Sequence, residues 1–324
     1  MTSPADWMAS AEPIDAVYMW VDDTFPGYRE TLNRYAEIKQ DTSPSRTRDN
    51  LDTLKYSLRS LRMYAPWLRN VHIVSCRPQK PRWLKDSAPG LSVIHHDEFM
   101  DASILPTFNS FAIQSFLHLI PGLSRRFLQF DDDVLLSAPV TIQDFADASG
   151  RLRVFRRFGH TPSEGRRDLD RISRWNASLA HSNHLLNAAF GMRARPTFTH
   201  VPLLIDRDWW AEMIACWPED FARTRQSRFR AKYNVVPDYL YPHFLLGTGR
   251  AVEVSRYRTY RDTYYFGIEN YAIYALWKLA LERAIGAKTL CLNDNFGDNP
   301  NPRVVRLVRD FLEKKYPVKS PFEC

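Results

Sequence analysis

The sequence predicts an α/β fold: a mostly parallel sheet covered by helices on both faces, with irregular helical insertions in the second half. Two observations predict it. Short runs rich in β-branched and aromatic residues alternate with segments of helical spacing as far as Val140. Three of the runs end in carboxylate or amide residues: Trp20-Val21-Asp22-Asp23, Phe130-Asp131-Asp132-Asp133 and Leu292-Asn293-Asp294-Asn295. In an open α/β sheet ligands bind beyond the carboxyl ends of the strands, so these three ends mark one candidate crevice.

The elements follow in order. Residues 1–13 read as a disordered lead-in. Ile14–Val21 is a strand, stopped by Asp22-Asp23 and the Pro26-Gly27 turn. A helix is expected from Tyr28 to about Lys39 and a loop at 41–49. A second helix runs to Ala65-Pro66, with Leu51, Leu54, Leu58 and Leu61 at helical spacing. Val71–Cys76 and Leu91–His95 are short core strands, Phe108–Ile120 a helix, and Arg126–Phe130 a strand entering the three aspartates. In the second half Leu152–Phe155 and Lys288–Leu292 read as strands. His184–Met192, Asp206–Trp217, Pro237–Leu246, Ile268–Ala284 and Arg303–Lys315 read as helices. Segments 218–236 and 256–265, polar and rich in arginine or tyrosine, are expected to be mobile loops. The organisation expected is one catalytic domain over 14–316, with a nucleotide- and metal-binding half at 14–150, an acceptor- and phosphate-binding half at 151–316, and a tail at 317–324.

Composition narrows the chemistry. The 324 residues carry 44 Lys and Arg against 37 Asp and Glu, a net charge of +7, which suits anionic partners such as phosphates and nucleotide sugars. Arginines cluster at 151–167 and 223–230, and their planar forks match phosphate oxygens. No zinc-finger, RNP-like or helix-turn-helix pattern supports a nucleic-acid partner. The four cysteines, Cys76, Cys216, Cys291 and Cys324, form no Cys-x-x-Cys pair and read as reduced, mostly buried thiols. With no signal pattern and no membrane-length apolar run, the expected location is cytoplasmic, with peripheral membrane association left open.

Three consecutive carboxylates in a dry crevice repel one another, and a cation offsets that repulsion. Hard oxygen ligands select Mg²⁺ or Mn²⁺, ions that commonly bridge substrate phosphates. Asp131, Asp132 and Asp133 are therefore the candidate metal ligands. His200, ahead of Val201-Pro202, is a candidate base because its proton affinity lies near neutrality. Arg230 is a candidate for neutralising charge on a phosphoryl group. Each has an ordinary alternative: a strand-end turn, a capping histidine, a surface arginine.

The run Leu105–Val140, LPTFNSFAIQSFLHLIPGLSRRFLQFDDDVLLSAPV, resembles the second conserved block of the Stealth family of sugar-1-phosphate transferases. Ile14–Asp23 is similar to the first block, and Arg48-Asp49-Asn50 with Leu54–Leu61 opens the second. Asn187–Gly191 with His200-Val201-Pro202 is similar to the third, and Cys291–Asn295 to the fourth. The family usually has Asn where Asp131 stands, and an acidic residue where this chain has Asn234. The resemblance implies a Rossmann-like (GT-A-like) sheet and transfer of a sugar-1-phosphate, N-acetylglucosamine-1-phosphate favoured, from a UDP-sugar donor to a sugar or glycan hydroxyl. It implies Mg²⁺ (or Mn²⁺) on Asp132 and Asp133, His200 as base, and Arg230, with Arg193 or Arg195, on non-bridging oxygens. It further places Trp20, Asp22, Arg48 and Asp49 around the nucleotide, with Asn109, His118, Asn293 and Asp294 completing donor binding. A metal-dependent glycosyltransferase releasing UDP and a non-catalytic sugar-binding protein are the competing readings.

Overall fold

The computed structural model describes residues 12–42, 48–85, 87–163 and 172–324. The lead-in expected at 1–13 therefore lies almost wholly outside the described residues, as do Arg166 and Arg167. In chain order the first half contains β1 (Ile14–Met19), α1 (Tyr28–Tyr35), α2 (Thr53–Tyr64), β2 (Val71–Ser75), β3 (Leu91–His95), α3 (Ser110–Phe116), β4 (Arg126–Asp131), β5 (Val134–Leu136), α4 (Ile142–Phe145) and β6 (Leu152–Phe155). There follow α5 (Arg174–Phe190), β7 (Leu203–Asp206), α6 (Arg207–Cys216), α7 (Pro218–Gln226), α8 (Pro237–Gly247), β8 (Ala251–Val254), α9 (Arg256–Asp262), β9 (Thr263–Ile268), α10 (Ala272–Ile285), β10 (Thr289–Asp294) and α11 (Pro302–Lys315).

Among the described residues the main sheet has the order β3-β2-β1-β4-β7. Its first four strands are parallel, and β7 joins β4 antiparallel. A second sheet has the order β5-β10-β9, and β6 pairs with β8. The α/β class and the mostly parallel sheet expected from the sequence are both present. Central strands covered on two faces are largely apolar, and Phe127, Leu128 and Phe130 of β4 are fully buried against Ala16, Val17 and Tyr18 of β1. Burial of each large side chain contributes about 1.5–3 kcal/mol. Leu54, Leu58 and Leu61 of α2 seal the same core, as their spacing requires.

Register places the crevice. Met19 stands opposite both Val74 and Asp131, so β1, β2 and β4 finish at one level. The chain leads from β1 toward β2 and β3 on one side and from β4 toward β7 on the other, a topological switch point. The turn Asp132-Asp133 then carries the chain from the main sheet into the second, where Val134 pairs with Cys291 of β10.

Several expectations are corrected. The helix expected at 184–192 starts at Arg174, because its early turns bury Ser178, His181, Ser182 and Asn183 in hydrogen bonds where an apolar stripe was sought. Segment 218–236 holds α7, which has Pro218 at its start, Glu219 and Asp220 in its first turn and Arg223 and Arg225 in its last. Segment 256–265 holds α9 and the start of β9. The helix expected to begin at Ile268 begins at Ala272, since 263–268 pairs with β10. Of the four thiols only Cys291 is buried; Cys216 and Cys324 are exposed and Cys76 is partly covered. Residues 322–324 return to bond with 83–85. No helix among the described residues is long and apolar enough to cross a membrane.

Candidate active site

The strand ends open into a cleft of ≈ 830 Å³. Trp20, Arg48, Asp49, Asp131, Asp132, Asp133, His200, Arg230, Asn293 and Asp294 all line it, drawn from both halves of the chain. The remaining expected residues stand elsewhere. Asp22 lies just outside, its carboxylate accepting from Thr24 N (3.0 Å) and Thr24 Oγ1 (2.7 Å). Arg195 is buried and donates to Asn183, Asn187 and the carbonyls of Leu186 and Gly191, tying down the end of α5. Arg193 is exposed and is not part of the lining.

Asn109 lies beneath the cleft and is fully buried. Its Nδ2 donates to Ser227 O (3.0 Å) and Asn234 Oδ1 (2.9 Å), and Asn234 Oδ1 also accepts from Ala231 N (2.8 Å). The two amides therefore brace the loop that presents Arg230. His118 is buried behind α3, its backbone carbonyl bound by Arg207 Nε at 2.7 Å. Burial, with Arg225 and Arg207 nearby, pushes its imidazole down to about 4.

The centre is built on β4 and β10. His200 Nε2 bonds Asp131 Oδ2, a different partner from the cation expected for that carboxylate. Its Nδ1 lies 3.8 Å from Asp133 Oδ1 and 3.4 Å from Cys291 Sγ. Asp133 Oδ2 accepts from Asn293 Nδ2 (3.1 Å) and from Cys291 Sγ (3.4 Å), while its buried Oδ1 has no hydrogen-bond partner. Burial raises the proton affinity of Asp132 well above the ordinary range, and Asp133, Asp49 and Asp131 raise it further. For His200, burial disfavours the cation, but Asp133 and Asp131 outweigh it and hold the imidazole well above its usual value.

The Trp20 side of the cleft is equally ordered. Trp20 Nε1 donates to Asp49 Oδ2 at 3.1 Å, and burial still lifts Asp49 to about 6. Asn50 Nδ2 holds Asp294 Oδ2 at 2.6 Å. Arg48 is aimed by Asp23, 3.1 Å away and almost fully buried. Arg230 stacks over the Phe111 ring at 4.5 Å and donates through Nη2 to Ser110 Oγ at 2.6 Å. Asp238, which sequence reasoning missed, also lines the cleft; burial and then Asp131 raise it to about 6. Its position in the first turn of α8 reads from sequence as an ordinary helix-dipole aspartate, so only the fold reveals it. Cys291, expected only as a reduced thiol, contacts Asp133 and His200; a lone thiol in a largely apolar strand carries no local signal of that.

The donor set fits a hard divalent cation. Asp132 and Asp133 offer carboxylate oxygens under mutual repulsion, and one of those oxygens is buried without a partner. Stealth protein conserved region 2 matches residues 46–154, conserved region 3 matches 199–247 and conserved region 4 matches 280–324. The chain belongs to the Stealth family.

Those three regions contain the aspartate turn, then His200 and Arg230, then Asn293 and Asp294. The Ile14–Asp23 segment lies ahead of them. An exopolysaccharide phosphotransferase of Streptomyces coelicolor is 36% identical over 322 residues, covering 96% of this chain and 52% of that protein. Exopolysaccharide phosphotransferase CpsY of Mycobacterium tuberculosis is 33% identical over 323 residues, covering 96% and 58%. Capsular polysaccharide phosphotransferase SacB of Neisseria meningitidis serogroup A is 32% identical over 320 residues, covering 96% and 57%. The chain thus spans about half the length of these Stealth relatives. Among solved structures, galactosyltransferase LgtC with donor and acceptor sugar analogs is 12% identical, covers 94% of this chain and 96% of that one, and gives a TM-score of 0.44. The bifunctional glycosyltransferase WbbM is 9% identical, covers 96% and 50%, and gives 0.45. At such scores these two likenesses carry no argument, and the α/β class rests on the strand order itself.

Proposed function

We propose that this chain transfers a sugar-1-phosphate from a UDP-sugar to a hydroxyl of a sugar or glycan acceptor. The acceptor oxygen bonds to the sugar-side phosphorus, the phosphorus–oxygen bond to UMP breaks, and a phosphodiester forms. The observation that carries this reading is the Asp131–His200 pair standing over the Asp132-Asp133 turn in a cleft also lined by Arg230. Phosphoryl transfer asks little covalent chemistry of a protein and much positioning and charge. Asp131 fixes Nε2 of His200, so the neutral imidazole, which the flanking carboxylates confine to higher pH, offers Nδ1 to the acceptor proton, the division of labour of a carboxylate–histidine pair. Arg230, held by Ser110 and Phe111, neutralises charge on the non-bridging oxygens.

A divalent cation, Mg²⁺ or Mn²⁺, on Asp132 and Asp133 supplies charge compensation for the diphosphate and the departing UMP. Trp20 offers a face to the uracil, with Asp49 locking its ring through Nε1; Arg48, Asn293 and Asp294 complete the donor pocket. N-acetylglucosamine is the sugar favoured, by the family resemblance. The matched relatives' printed names, exopolysaccharide and capsular polysaccharide phosphotransferase, support a polysaccharide product. Incubation with a panel of UDP-sugars, Mg²⁺ and glycan acceptors, read by mass, tests the proposal. UMP with a sugar-phosphate added to the acceptor is the result expected. UDP with a bare sugar added overturns the proposal in favour of glycosyl transfer.

A further inference from the structure

The geometry points to a second use of the same cleft: Asp133, His200 and Cys291 form a three-ligand site for one borderline or thiophilic divalent ion of the zinc class. One carboxylate oxygen, one imidazole nitrogen and one sulfur are grouped with all ligand atoms within 4.8 Å of one another. The separations are 3.4 Å for Sγ to Nδ1, 3.4 Å for Sγ to Asp133 Oδ2, and 3.8 Å for Nδ1 to Asp133 Oδ1. A tetrahedral ion with bonds of about 2.0–2.1 Å to nitrogen or oxygen and about 2.3 Å to sulfur sets ligand edges of roughly 3.3–3.5 Å. Sγ and Nδ1 already stand at that edge length, whereas the two Asp133 distances run to different oxygens of one carboxylate, so that carboxylate must turn to bring a single oxygen to both. Three protein ligands leave the fourth position open.

The surroundings are those of a built site. Asp131 holds His200 through Nε2, the nitrogen that would not touch the ion, and so fixes which nitrogen is presented. Asn293 Nδ2 orients the Asp133 carboxylate, whose buried Oδ1 lacks a hydrogen-bond partner. Cys291 is clamped in β10 between β5 and β9, opposite Val134 and Tyr265, and Asp133 O accepts Leu292 N at 2.9 Å. Cys291 and His200 are thus held in place, and a turn of the Asp133 carboxylate completes the set. A hard cation has little use for the sulfur, so Mg²⁺ is drawn toward Asp132 and Asp133 whereas the zinc class is drawn toward Cys291. Capture of the ion forms bonds to sulfur, to Nδ1 and to one Asp133 oxygen, and releases to water the thiol proton and, from the imidazolium form, the Nδ1 proton.

One consequence rests on the function proposed above. With Nδ1 on the ion and Nε2 on Asp131, His200 has no nitrogen left to take a proton from the acceptor. Zinc-class ions therefore inhibit the transferase, and added Mg²⁺ does not displace them readily.

The test uses the full chain carrying Cys216→Ser and Cys324→Ser, so that Cys291 is the buried thiol under study beside partly covered Cys76. Metal-free protein is titrated with Co²⁺, a spectroscopic stand-in for Zn²⁺, and then with Zn²⁺ against a competing chelator. The expected result is a thiolate-to-cobalt charge-transfer band saturating at one equivalent, lost in Cys291→Ser and retained in Cys76→Ser. Zinc affinity should fall at least about tenfold in Cys291→Ser, and about tenfold in Asp131→Asn through its hold on His200. A folded protein with no band, or a band that survives Cys291→Ser, overturns the site. Should Cys291→Ser not fold, Asp131→Asn decides alone, and unchanged zinc affinity there overturns the site. Absence of turnover with every UDP-sugar counts against the proposed function while leaving the cobalt spectrum readable. Zinc bound with turnover unchanged overturns the inhibitory consequence.

Discussion

Asp131 is the position at which this chain departs from its family's usual asparagine, and replacing it separates two roles a carboxylate can have here. Its Oδ2 bonds His200 Nε2, and on the proposed function it positions the base, whereas a cation ligand was expected from the sequence. Asp131→Asn keeps an oxygen to accept from Nε2 but removes the charge. Charge-assisted hydrogen bonds contribute about 1.5–3 kcal/mol and neutral ones about 0.5–1.5 kcal/mol, a difference of roughly 1–1.5 kcal/mol. At about 1.4 kcal/mol per decade, kcat should fall about tenfold. Asp131→Ala also leaves Nε2 without its carboxylate, and about 3 kcal/mol translates to a loss on the order of 10²-fold in kcat. Steady-state release of UMP at several donor and Mg²⁺ concentrations is the assay. The donor KM and the Mg²⁺ activation constant should stay within about twofold in both variants, since neither contact is removed. A Mg²⁺ requirement shifted by an order of magnitude or more in Asp131→Asn would refute this assignment and return Asp131 to the cation. An unchanged kcat in Asp131→Ala would refute it from the other side.

Other outcomes follow from the same geometry. Asp133→Ala should abolish metal-dependent turnover with the fold preserved, checked by rates across a Mg²⁺ series alongside a melting curve; full activity would refute the cation site. Arg230→Ala should lower kcat/KM on the order of 10²-fold, and Ser110→Ala by a smaller factor, since Phe111 still supports the guanidinium. Asp15 is wholly buried and accepts from Arg69 (2.6 Å), Ser124 N (2.8 Å) and Asn70 N (3.1 Å). Burial raises its proton affinity, but His72, Arg69 and Ser124 outweigh that and hold the carboxyl well below its ordinary value. A depressed folded value contributes stability above the unfolded pKa of about 3.9, and that stability is lost as pH falls toward the folded value. Asp15→Asn should therefore cost about 3 kcal/mol in urea melts near neutral pH, with the gap from wild type narrowing in strong acid. Gly247→Ala should lower the melting temperature, because a Cβ there would meet the Phe190 ring at 2.6 Å; a cost of about 1–3 kcal/mol is expected.

The sequence made the core of the fold legible where physical signals were undiluted. β1, β2, β3, β4 and β10 are short, largely apolar runs with aspartates or turns at their ends, and α2 and α11 show plain helical spacing. β9, TYYFGI, was hidden by the arginines and tyrosines of Arg256–Asp262 ahead of it, which resemble a polar loop until they fold as α9. β5 and β8, at three and four residues, are too short for periodicity to register. In α5 the buried face is made of serine, histidine and asparagine; Ser178 Oγ donates to Arg174 O, and Ser182 Oγ accepts from Val236 N. Binary patterning cannot see a face that is satisfied by hydrogen bonds.

The site was legible to a similar depth. Trp20 and Asp131–Asp133 gather because parallel β1 and β4 end together, and Asn293 and Asp294 join them because β10 runs antiparallel to β5 and so ends beside the turn from which β5 starts. Asn109 and His118 drew attention through the family block alone, and the structure gives them other work: Asn109 braces the loop bearing Arg230, and His118 lies buried behind α3. Asp238 reaches the cleft through α8 and Cys291 reaches Asp133 through β10, 105 and 158 residues away in sequence from Asp133, and no local pattern announces either meeting.

The most direct test of the proposed function follows one oxygen atom. A UDP-sugar labelled with heavy oxygen in the bridge between the anomeric carbon and phosphorus is turned over with Mg²⁺ and a glycan acceptor. Attack at phosphorus leaves the label in the sugar-phosphate joined to the acceptor, with unlabelled UMP released. Label recovered in UDP would show that the carbon–oxygen bond had broken, and would contradict a sugar-1-phosphate transferase.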